Sequence, residues 1–475
     1  MSECGAGLGA RITAASLLLG GAALFGFAAF AGQGCAEEAP KPSAPEPIVI
    51  GVSLGLSRDL GSFTAPLRDA LRTAEGEINA GGGLLGRPVR FDVVDDKSDE
   101  GDGVRAVVEG FAKKGVVAVI GPVSSGQVKA TQDILAGHQI IQLTPAATSV
   151  ELTDIQPATD RFLFRTTPAD DFQGAAVILF ATRTPRGLGD AGTPPTTEGG
   201  APRPCTRLAL VYIDNPYGTS MARVIKNNFP RTGGQVVADK MIPLEAAASY
   251  EAVANEIAAR DPQCLAIISY EKAAAQFVRD FKKTDKYKSD PDFFFIGTDG
   301  VYTQGFLDLS LDDPGDPTSP STAEGVFGTN PDTQPGTTEY NAFKTIYASY
   351  FPLDPAEDAP AFAANAFDAA ILVAFAIQKA GTTTDRIAIR DALKEVSRPG
   401  GRPITPAEIG EGLLELREGG DIDYKGASGN VDLQDNGNVT AGFIVWQAVR
   451  DETTKRVVYK TVDRYTAESL LETIQ

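Results

Sequence analysis

The sequence predicts an α/β fold built from doubly wound parallel sheets. Short apolar segments recur along the chain, and helices of roughly 10–15 residues separate them, which is the alternation typical of right-handed βαβ units. The apolar segments are continuous, as expected for strands that are buried on both faces. The chain has 475 residues, more than the roughly 150 of one ordinary domain, so we expect two such units.

The elements follow from the order of these segments. Four strands are predicted at Ile48–Val52, Val89–Val94, Val116–Ile120 and Ile140–Leu143. The helices between them are predicted at about Pro66–Asn79, Gly103–Lys114 and Gly126–Gly137. The second series of strands is predicted at Leu208–Ile213, Gln235–Met241, Leu265–Ser269 and Phe293–Gly297. Between the two series, residues 184–204 are rich in Gly, Pro and Thr, which predicts a disordered surface insertion.

The N-terminus carries the features of an export signal. Residues 12–34 are uncharged and largely apolar after Arg11, which predicts a signal segment over residues 1–35. A small residue, Gly34, precedes Cys35 as in a lipoprotein cleavage site, so Cys35 is the predicted lipidation site. Plain cleavage and retention as a membrane anchor stay open as alternatives. Residues 36–47 are rich in proline and charge, which predicts a tether, and we expect a lipid-anchored protein of the periplasm or cell envelope.

Composition disfavours several classes of function. The chain has 62 acidic and 43 basic residues, a net charge of −19, which argues against nucleic acid or an anionic membrane surface as the main partner. Its single histidine, His138, makes zinc centres and histidine-based triads improbable. Ser53 in Gly51-Val-Ser-Leu-Gly55 resembles a nucleophile elbow, but no histidine follows it at the required late position. We expect no enzyme activity, no metal and no cofactor; a secreted serine hydrolase is the weak alternative.

Two cysteines have a predicted structural role. Cys205 and Cys264 each precede an apolar strand. Neighbouring parallel strands begin at the same edge of a sheet, so the two thiols would lie together and form a disulfide in an oxidising compartment. Two unpaired buried thiols are the alternative.

Polar side chains collect in loops that follow four predicted strands, where open parallel sheets bind ligands. These loops are Gly121–Gly126, Thr144–Ser149, Tyr270-Glu271 and Gly297–Gly300. Ser124 and Ser125 bring hydroxyls to the start of a helix, which is a site for an anion. Asp299 brings a carboxylate from the second unit, and Tyr270 could cover the ligand. An anion site facing an acid predicts a zwitterion such as an α-amino acid.

Several spaced motifs occur in the order found in a known family. They are Ile78–Arg87, Asp95–Asp99, Ile120–Gly126, Phe164–Thr166, Asn215–Gly218 and Ile296–Gly300. From about Ile48 to Gln447 the chain resembles periplasmic type I solute-binding proteins of the leucine/isoleucine/valine-binding family. The resemblance implies a monomer that captures a small amino-acid-like ligand for an ABC importer permease, with membrane contact only through the N-terminal lipid or anchor. A sensory protein on the same fold is the alternative.

The resemblance also implies an architecture and a residue set. Two lobes, 48–167 plus 329–436 and 168–328 plus 437–475, would be joined by a three-strand hinge. The ligand carboxylate would meet Ser125, Thr148 and the main chain of Ala146, and its ammonium would meet Asp299 beside Tyr217 and Tyr270. Phe63 stands where the family often has an aromatic hydroxyl. Core packing of Phe63 and Tyr217, helix capping by Ser125 and Thr148, and a solvated Asp299 stay open as structural alternatives.

Overall fold

The computed structural model describes residues 45–182, 204–353 and 358–474. The predicted signal 1–35 with Cys35, residues 36–44 of the predicted tether and residues 184–203 of the predicted insertion lie outside the described residues.

The first sheet is parallel throughout and has the strand order β2-β1-β3-β4-β5. Its strands are β1 (Ile48–Leu54), β2 (Val89–Asp95), β3 (Ala118–Ile120), β4 (Ile141–Thr144) and β5 (Leu163–Arg165). The helices that connect them are α1 (Gly61–Ala80), α2 (Asp102–Lys114) and α3 (Ser125–Gly137). The interior strand β1 is almost wholly buried, which explains why its sequence is largely apolar.

The second sheet has seven strands in the order β14-β13-β10-β9-β8-β6-β7. The strands are β6 (Arg207–Ile213), β7 (Gln235–Ile242), β8 (Cys264–Ile268), β9 (Phe294–Gly297), β10 (Phe327–Pro331), β13 (Phe443–Arg450) and β14 (Val457–Tyr465). Its helices are α4 (Asp170–Thr182), α5 (Pro216–Asn228), α6 (Glu251–Ala258), α7 (Glu271–Phe281), α8 (Asp285–Ser289), α9 (Gln304–Leu309) and α14 (Ala467–Ile474). The sheet is parallel from β7 to β10, and β13 and β14 extend it in antiparallel pairing.

After β10 the chain adds a second group of helices to the core of the first sheet. They are α10 (Thr338–Tyr350), α11 (Ala363–Ala380), α12 (Arg386–Ser397) and α13 (Ile409–Arg417), with a small parallel ladder of β11 (Arg402–Ile404) and β12 (Ile422–Tyr424). Helix α11 is the one helix of the described part that is long and apolar enough to cross a membrane. Because 89% of it is buried inside the fold, it is the central helix of this core.

Two large hydrophobic clusters surround the two sheets. One runs from Ile48 to Phe164 and from Phe343 to Val439, and the other from Phe172 to Phe327 and from Phe443 to Leu470. The chain therefore passes between the clusters three times within the described residues. The positions at which one lobe gives way to the other remain a proposal.

One predicted boundary is wrong. The first helix begins at Gly61, five residues before the predicted start at Pro66, which lies inside α1. Proline is favoured in the first turn of a helix; further along, its missing N–H removes a backbone hydrogen bond and its ring clashes with the carbonyl four residues earlier, at a cost of about 3 kcal/mol. The apolar face of α1, including Leu67 and Leu71, is fully buried and compensates for that loss.

Candidate functional site

A cavity lies where the loops after β1, β3, β4, β6, β8 and β9 meet. Its lining contains all eight residues predicted for ligand binding, which are Phe63, Ser124, Ser125, Ala146, Thr148, Tyr217, Tyr270 and Asp299. Leu60, Val123 and Gly300 complete it. The first five of the eight follow strands of the first sheet and form the first-sheet wall. Tyr217, Tyr270 and Asp299 follow strands of the second sheet and form the second-sheet wall.

The first-sheet wall is built around the N-terminus of α3. Ser124 caps this helix, because its Oγ accepts a hydrogen bond from the Gln127 N–H at 3.1 Å. Ser125 Oγ accepts from the Ser149 N–H at 3.1 Å, which fixes the loop after β4 against the helix. Both serines are buried and still line the cavity. Capping and ligand contact are therefore compatible roles here, and the positive end of the helix faces the cavity.

Thr148 presents a hydroxyl without a well-aligned partner. The residue is 2% exposed, and its Oγ1 makes no hydrogen bond of standard geometry among the described residues, although it lies near enough to the Asp170 carboxylate to lower the pKa of that acid. The Thr148 carbonyl is occupied, since it accepts from the Asp170 N–H at 2.8 Å. A buried hydroxyl without a well-aligned partner is costly, and a ligand in the cavity would remove that cost.

The second-sheet wall joins an acid to two stacked tyrosines. Tyr217 donates a hydrogen bond from its hydroxyl to Asp299 Oδ1 at 2.6 Å. The rings of Tyr217 and Tyr270 are stacked, with centroids 5.7 Å apart and planes 5° from parallel. A side chain at Gly300 would place its Cβ 2.4 Å from the Ser269 carbonyl oxygen and 3.2 Å from the Tyr217 hydroxyl. Glycine at this position therefore allows the wall to close around the acid.

The electrostatics of the second-sheet wall favour the binding of a cation. Burial raises the pKa of Asp299 from 3.8 to about 6, although the Tyr217 hydrogen bond opposes the rise. Burial also raises the pKa of Tyr217 well above its ordinary value, and the negative charges of Asp299 and Asp170 add to it. A carboxyl group with a raised pKa is one that lacks a positive partner, so an ammonium group would stabilise its ionised form.

Phe63 lines the cavity and also packs against Phe362. It lies in the first turn of α1. Its ring also meets the ring of Phe362 at an interplanar angle of 60°, with centroids 5.5 Å apart. Phe63 can therefore shape the cavity and pack against the helical core, and its contact with a ligand remains a proposal.

Sequence reasoning missed Asp170. This residue is fully buried at the start of α4, and neither of its carboxylate oxygens makes a hydrogen bond of standard geometry among the described residues; the Thr148 hydroxyl and the Arg165 charge lie near enough to lower its pKa. Burial raises its pKa well above the ordinary value, and the charge of Asp299 raises it further. The site therefore holds two neighbouring acids. In the sequence, Asp170-Asp171 is indistinguishable from the acidic residues that commonly begin a helix.

Arg165 is a buried cation in the neighbourhood of these acids. Its guanidinium donates to the carbonyl oxygens of Ala147 and Ser149 at 3.3 and 3.0 Å and to Thr153 Oγ1 at 2.7 Å. Burial lowers its pKa to about 10, and the charge of Asp170 opposes that change. Arg165 thus braces the loop after β4, and it does not line the cavity.

The residues considered for catalysis lie elsewhere. Ser53 is fully buried within β1, and its hydroxyl donates to Asp96 Oδ2 at 2.7 Å. His138 is exposed just beyond the end of α3. In the described ranges, no group of three or more His, Cys, Asp or Glu side chains could hold a metal ion. Ser53 therefore presents no nucleophile to the cavity.

The two cysteines lie at the starts of neighbouring strands. Cys205 precedes β6, and Cys264 is the first residue of β8. Strands β6 and β8 pair in parallel, with Leu208 opposite Cys264. The sulfur atoms of Cys205 and Cys264 lie 2.05 Å apart, and the Cα atoms lie 6.0 Å apart. This geometry is that of a disulfide; oxidation of the pair in the exported protein remains a prediction.

The chain is similar to known proteins over most of its length. The family profile described as "Periplasmic binding protein" matches residues 47–410. A chemotactic signal transduction system substrate-binding protein, BasB of Halobacterium salinarum, is 24% identical over 85% of this chain and 87% of its own length. The Leu/Ile/Val-binding protein BraC3 of Rhizobium johnstonii is 25% identical over 74% of this chain and 85% of its own length.

Two solved structures show the same fold. A branched-chain amino acid transporter substrate-binding protein from Streptococcus pneumoniae, in complex with isoleucine, is 18% identical with a TM-score of 0.62, covering 88% of this chain and 100% of its own. A solute-binding protein of an ABC transporter from Rhodopseudomonas palustris, in complex with 3,4-dihydroxybenzoic acid, is 14% identical with a TM-score of 0.64, covering 88% of this chain and 97% of its own.

Proposed function

The chain belongs to the periplasmic binding protein family, and we propose that it captures an amino acid or a similar small zwitterion and delivers it to an ABC importer. Family membership supports a solute-binding role outside the cytoplasm. The named relatives are substrate-binding proteins, so the proposal assigns no chemical reaction to the chain. It concerns a monomer that meets a membrane permease.

The observation that carries the choice of ligand is the separation of charge across the cavity. The first-sheet wall offers donors, namely the N-terminus of α3 and the Thr148 hydroxyl. The second-sheet wall offers Asp299, whose charge raises the pKa of the nearby buried Asp170. A ligand carboxylate would face the donors, and a ligand ammonium would neutralise the acids.

The same observation disfavours an aromatic carboxylic acid, the ligand of the Rhodopseudomonas protein. Such a ligand has an anion for the first-sheet wall but no cation for the second. Asp299 would then stay buried without a counter-charge, which costs several kcal/mol for a buried ion, and Asp170 would keep only the charge of Arg165. An amino acid such as isoleucine, the ligand of the Streptococcus protein, has both groups.

The mechanism proposed is closure of the cleft on the ligand. A ligand that contacts both walls favours the closed form only by the contacts that it makes in that form and not in the open one. The permease would then recognise the closed protein. The three passages of the chain between the two hydrophobic clusters would form the hinge.

Calorimetry with three related compounds tests the ligand class. L-Leucine has both charged groups, 4-methylpentanoate lacks the ammonium and 3-methylbutylamine lacks the carboxylate. We expect one or more α-amino acids in a panel of the common twenty to bind, and the two analogues of any binder to bind at least tenfold more weakly. Tight binding of 4-hydroxybenzoate with no binding by any amino acid would contradict the proposal. A ligand at 100 times its Kd stabilises a protein by about 2.7 kcal/mol, so a thermal shift can screen the panel first.

A sensory role is the second candidate, and the relation to the chemotactic protein favours it. It uses the same cavity and differs only in the protein that recognises the closed form. Capture of a receptor rather than a permease by the liganded protein, after crosslinking in the native membrane, would support it.

A further inference from the structure

A partly buried hydrogen-bond network crosses the cleft beside the cavity, and its central residue is Glu100. Glu100 Oε1 accepts from the Ser124 hydroxyl at 2.7 Å and from Asn215 Nδ2 at 3.1 Å. Ser124 belongs to the first-sheet wall, whereas Asn215 lies at the start of α5 in the second half of the cleft. Asn215 Nδ2 also donates a hydrogen bond to the Tyr270 hydroxyl at 3.3 Å. One carboxylate thus connects the first-sheet wall, directly through Ser124, to the second-sheet wall, through Asn215 and Tyr270.

The fold makes room for this carboxylate. An added Cβ at Gly126, in the first turn of α3, would lie 2.0 Å from Glu100 Oε2. The carboxylate therefore occupies space at the positive end of a helix, where a negative charge is favoured. Burial nevertheless raises the pKa of Glu100, and the charge of Asp99 adds to the rise. The hydrogen bonds from Ser124 and Asn215 lower the pKa of Glu100 and therefore help to keep its carboxylate ionised.

Asn215 is suited to its place by two separate contacts. Its Oδ1 accepts from the Gly218 N–H at 2.9 Å and caps α5, which begins with Pro216. Its Nδ2 remains for Glu100 and Tyr270. The cap fixes the orientation of the amide, so the donor points toward the first half of the cleft.

We propose that Glu100 is a positioning residue that latches the two halves of the cleft and orients Ser124 and Tyr270 for the ligand. The proposal rests on the binding role of the cavity proposed above and adds a regulation of it. The latch needs no ligand, so it raises the population of closed molecules before binding. The apparent affinity scales with the population of the competent form, so loss of the latch weakens binding without removing any ligand contact.

A swap of donor and acceptor tests the latch. Asn215→Asp keeps the cap on α5, because aspartate also accepts from the Gly218 N–H, but it places a second carboxylate against Glu100. Combining it with Glu100→Gln restores a donor and an acceptor in exchanged positions. Glu109→Ala is the matched control, since Glu109 lies on the exposed face of α2 and, within the described ranges, has only Lys113 as an ion-pair partner.

Two measurements distinguish the latch from a structural role and from the ligand proposal. Small-angle X-ray scattering of the unliganded protein reads closure directly, and calorimetry reads the affinity for the amino acid that binds best among the common twenty. We expect Asn215→Asp to increase the radius of gyration and to weaken binding at least tenfold. The double variant should return both values toward wild type, and Glu109→Ala should change neither.

An unchanged radius of gyration in Asn215→Asp, or a double variant that stays as open as the single one, would overturn the latch. Urea unfolding of each variant identifies a change caused by general destabilisation. If the scattering follows the expected pattern while no amino acid binds any variant, the latch stands and the proposed ligand class fails.

Discussion

Asp299→Asn should stabilise the unliganded protein and impair binding at the same time. The shift of the Asp299 pKa from 3.8 to about 6 corresponds to about 3 kcal/mol at 1.36 kcal/mol per unit. A carboxyl group whose pKa is raised by folding contributes stability that is complete below the unfolded pKa and is lost as the pH rises through the folded pKa. At pH 7 the native protein is therefore destabilised by the whole cost of ionising the buried Asp299 carboxyl group.

An amide at position 299 removes the charge and keeps the contact with Tyr217, because its oxygen can still accept the hydroxyl proton. We expect the free energy of unfolding at pH 7 to rise by up to about 3 kcal/mol, and the gain to vanish below about pH 4, where both forms are uncharged. Amino-acid binding should weaken by more than about 1.4 kcal/mol, or tenfold, because a buried ammonium loses its counter-charge. Urea unfolding at pH 4, 5 and 7 and calorimetry at pH 7 measure the two effects.

Asp368 offers a matched control. It is also fully buried with a pKa raised to about 6 by burial, but it lies on α11, outside the cavity lining. It accepts four hydrogen bonds, from the Tyr424 hydroxyl, the Ala427 N–H, and the N–H and hydroxyl of Ser428. Asp368→Asn should destabilise the protein, because an amide nitrogen cannot accept from these donors, and ligand affinity should not change.

The reasoning is refuted if Asp299→Asn loses stability as Asp368→Asn does, or if it binds the amino acid as tightly as the wild type. The first result would mean that the Asp299 carboxylate is already satisfied in the unliganded protein. The second would mean that the ammonium lies elsewhere.

Three further variants probe neighbouring features. Asp170→Asn should also raise unliganded stability at pH 7 and weaken amino-acid binding in calorimetry; unchanged affinity would assign Asp170 a structural role only. Cys205→Ser should lower the free energy of unfolding by about 4 kcal/mol, the loop-closure value for a separation of 59 residues, and a thiol assay that finds two free thiols in the unfolded exported protein would argue against the disulfide. Cys35→Ser should release the protein from the membrane fraction, whereas continued membrane retention would favour an uncleaved anchor over a lipid.

Much of the site follows from local sequence because strand ends are local features. Ser125, Thr148 and Asp299 each come shortly after an apolar segment, and parallel strands place their carboxyl ends at one edge. Proximity of Ser125 to Thr148 therefore needs only the order of the strands in the first sheet, whereas Asp299 reaches them only because the second sheet faces the first. The start of α1 illustrates the limit, since Pro66 suggested a boundary that packing of the apolar helix face overrides.

The sequence by itself determined the alternation of strands and helices and the loops that carry the cavity, because hydrophobic periodicity and turn residues are encoded within short windows; its spaced motifs carried the resemblance to the family. Only the tertiary structure decided which acids are buried without well-aligned partners and which polar groups meet across the cleft. Asp170 differs from a solvated helix start only through what surrounds it. Glu100 and Asn215 lie 115 positions apart in the chain, so their hydrogen bond depends on how distant parts of the fold meet, which no local pattern records.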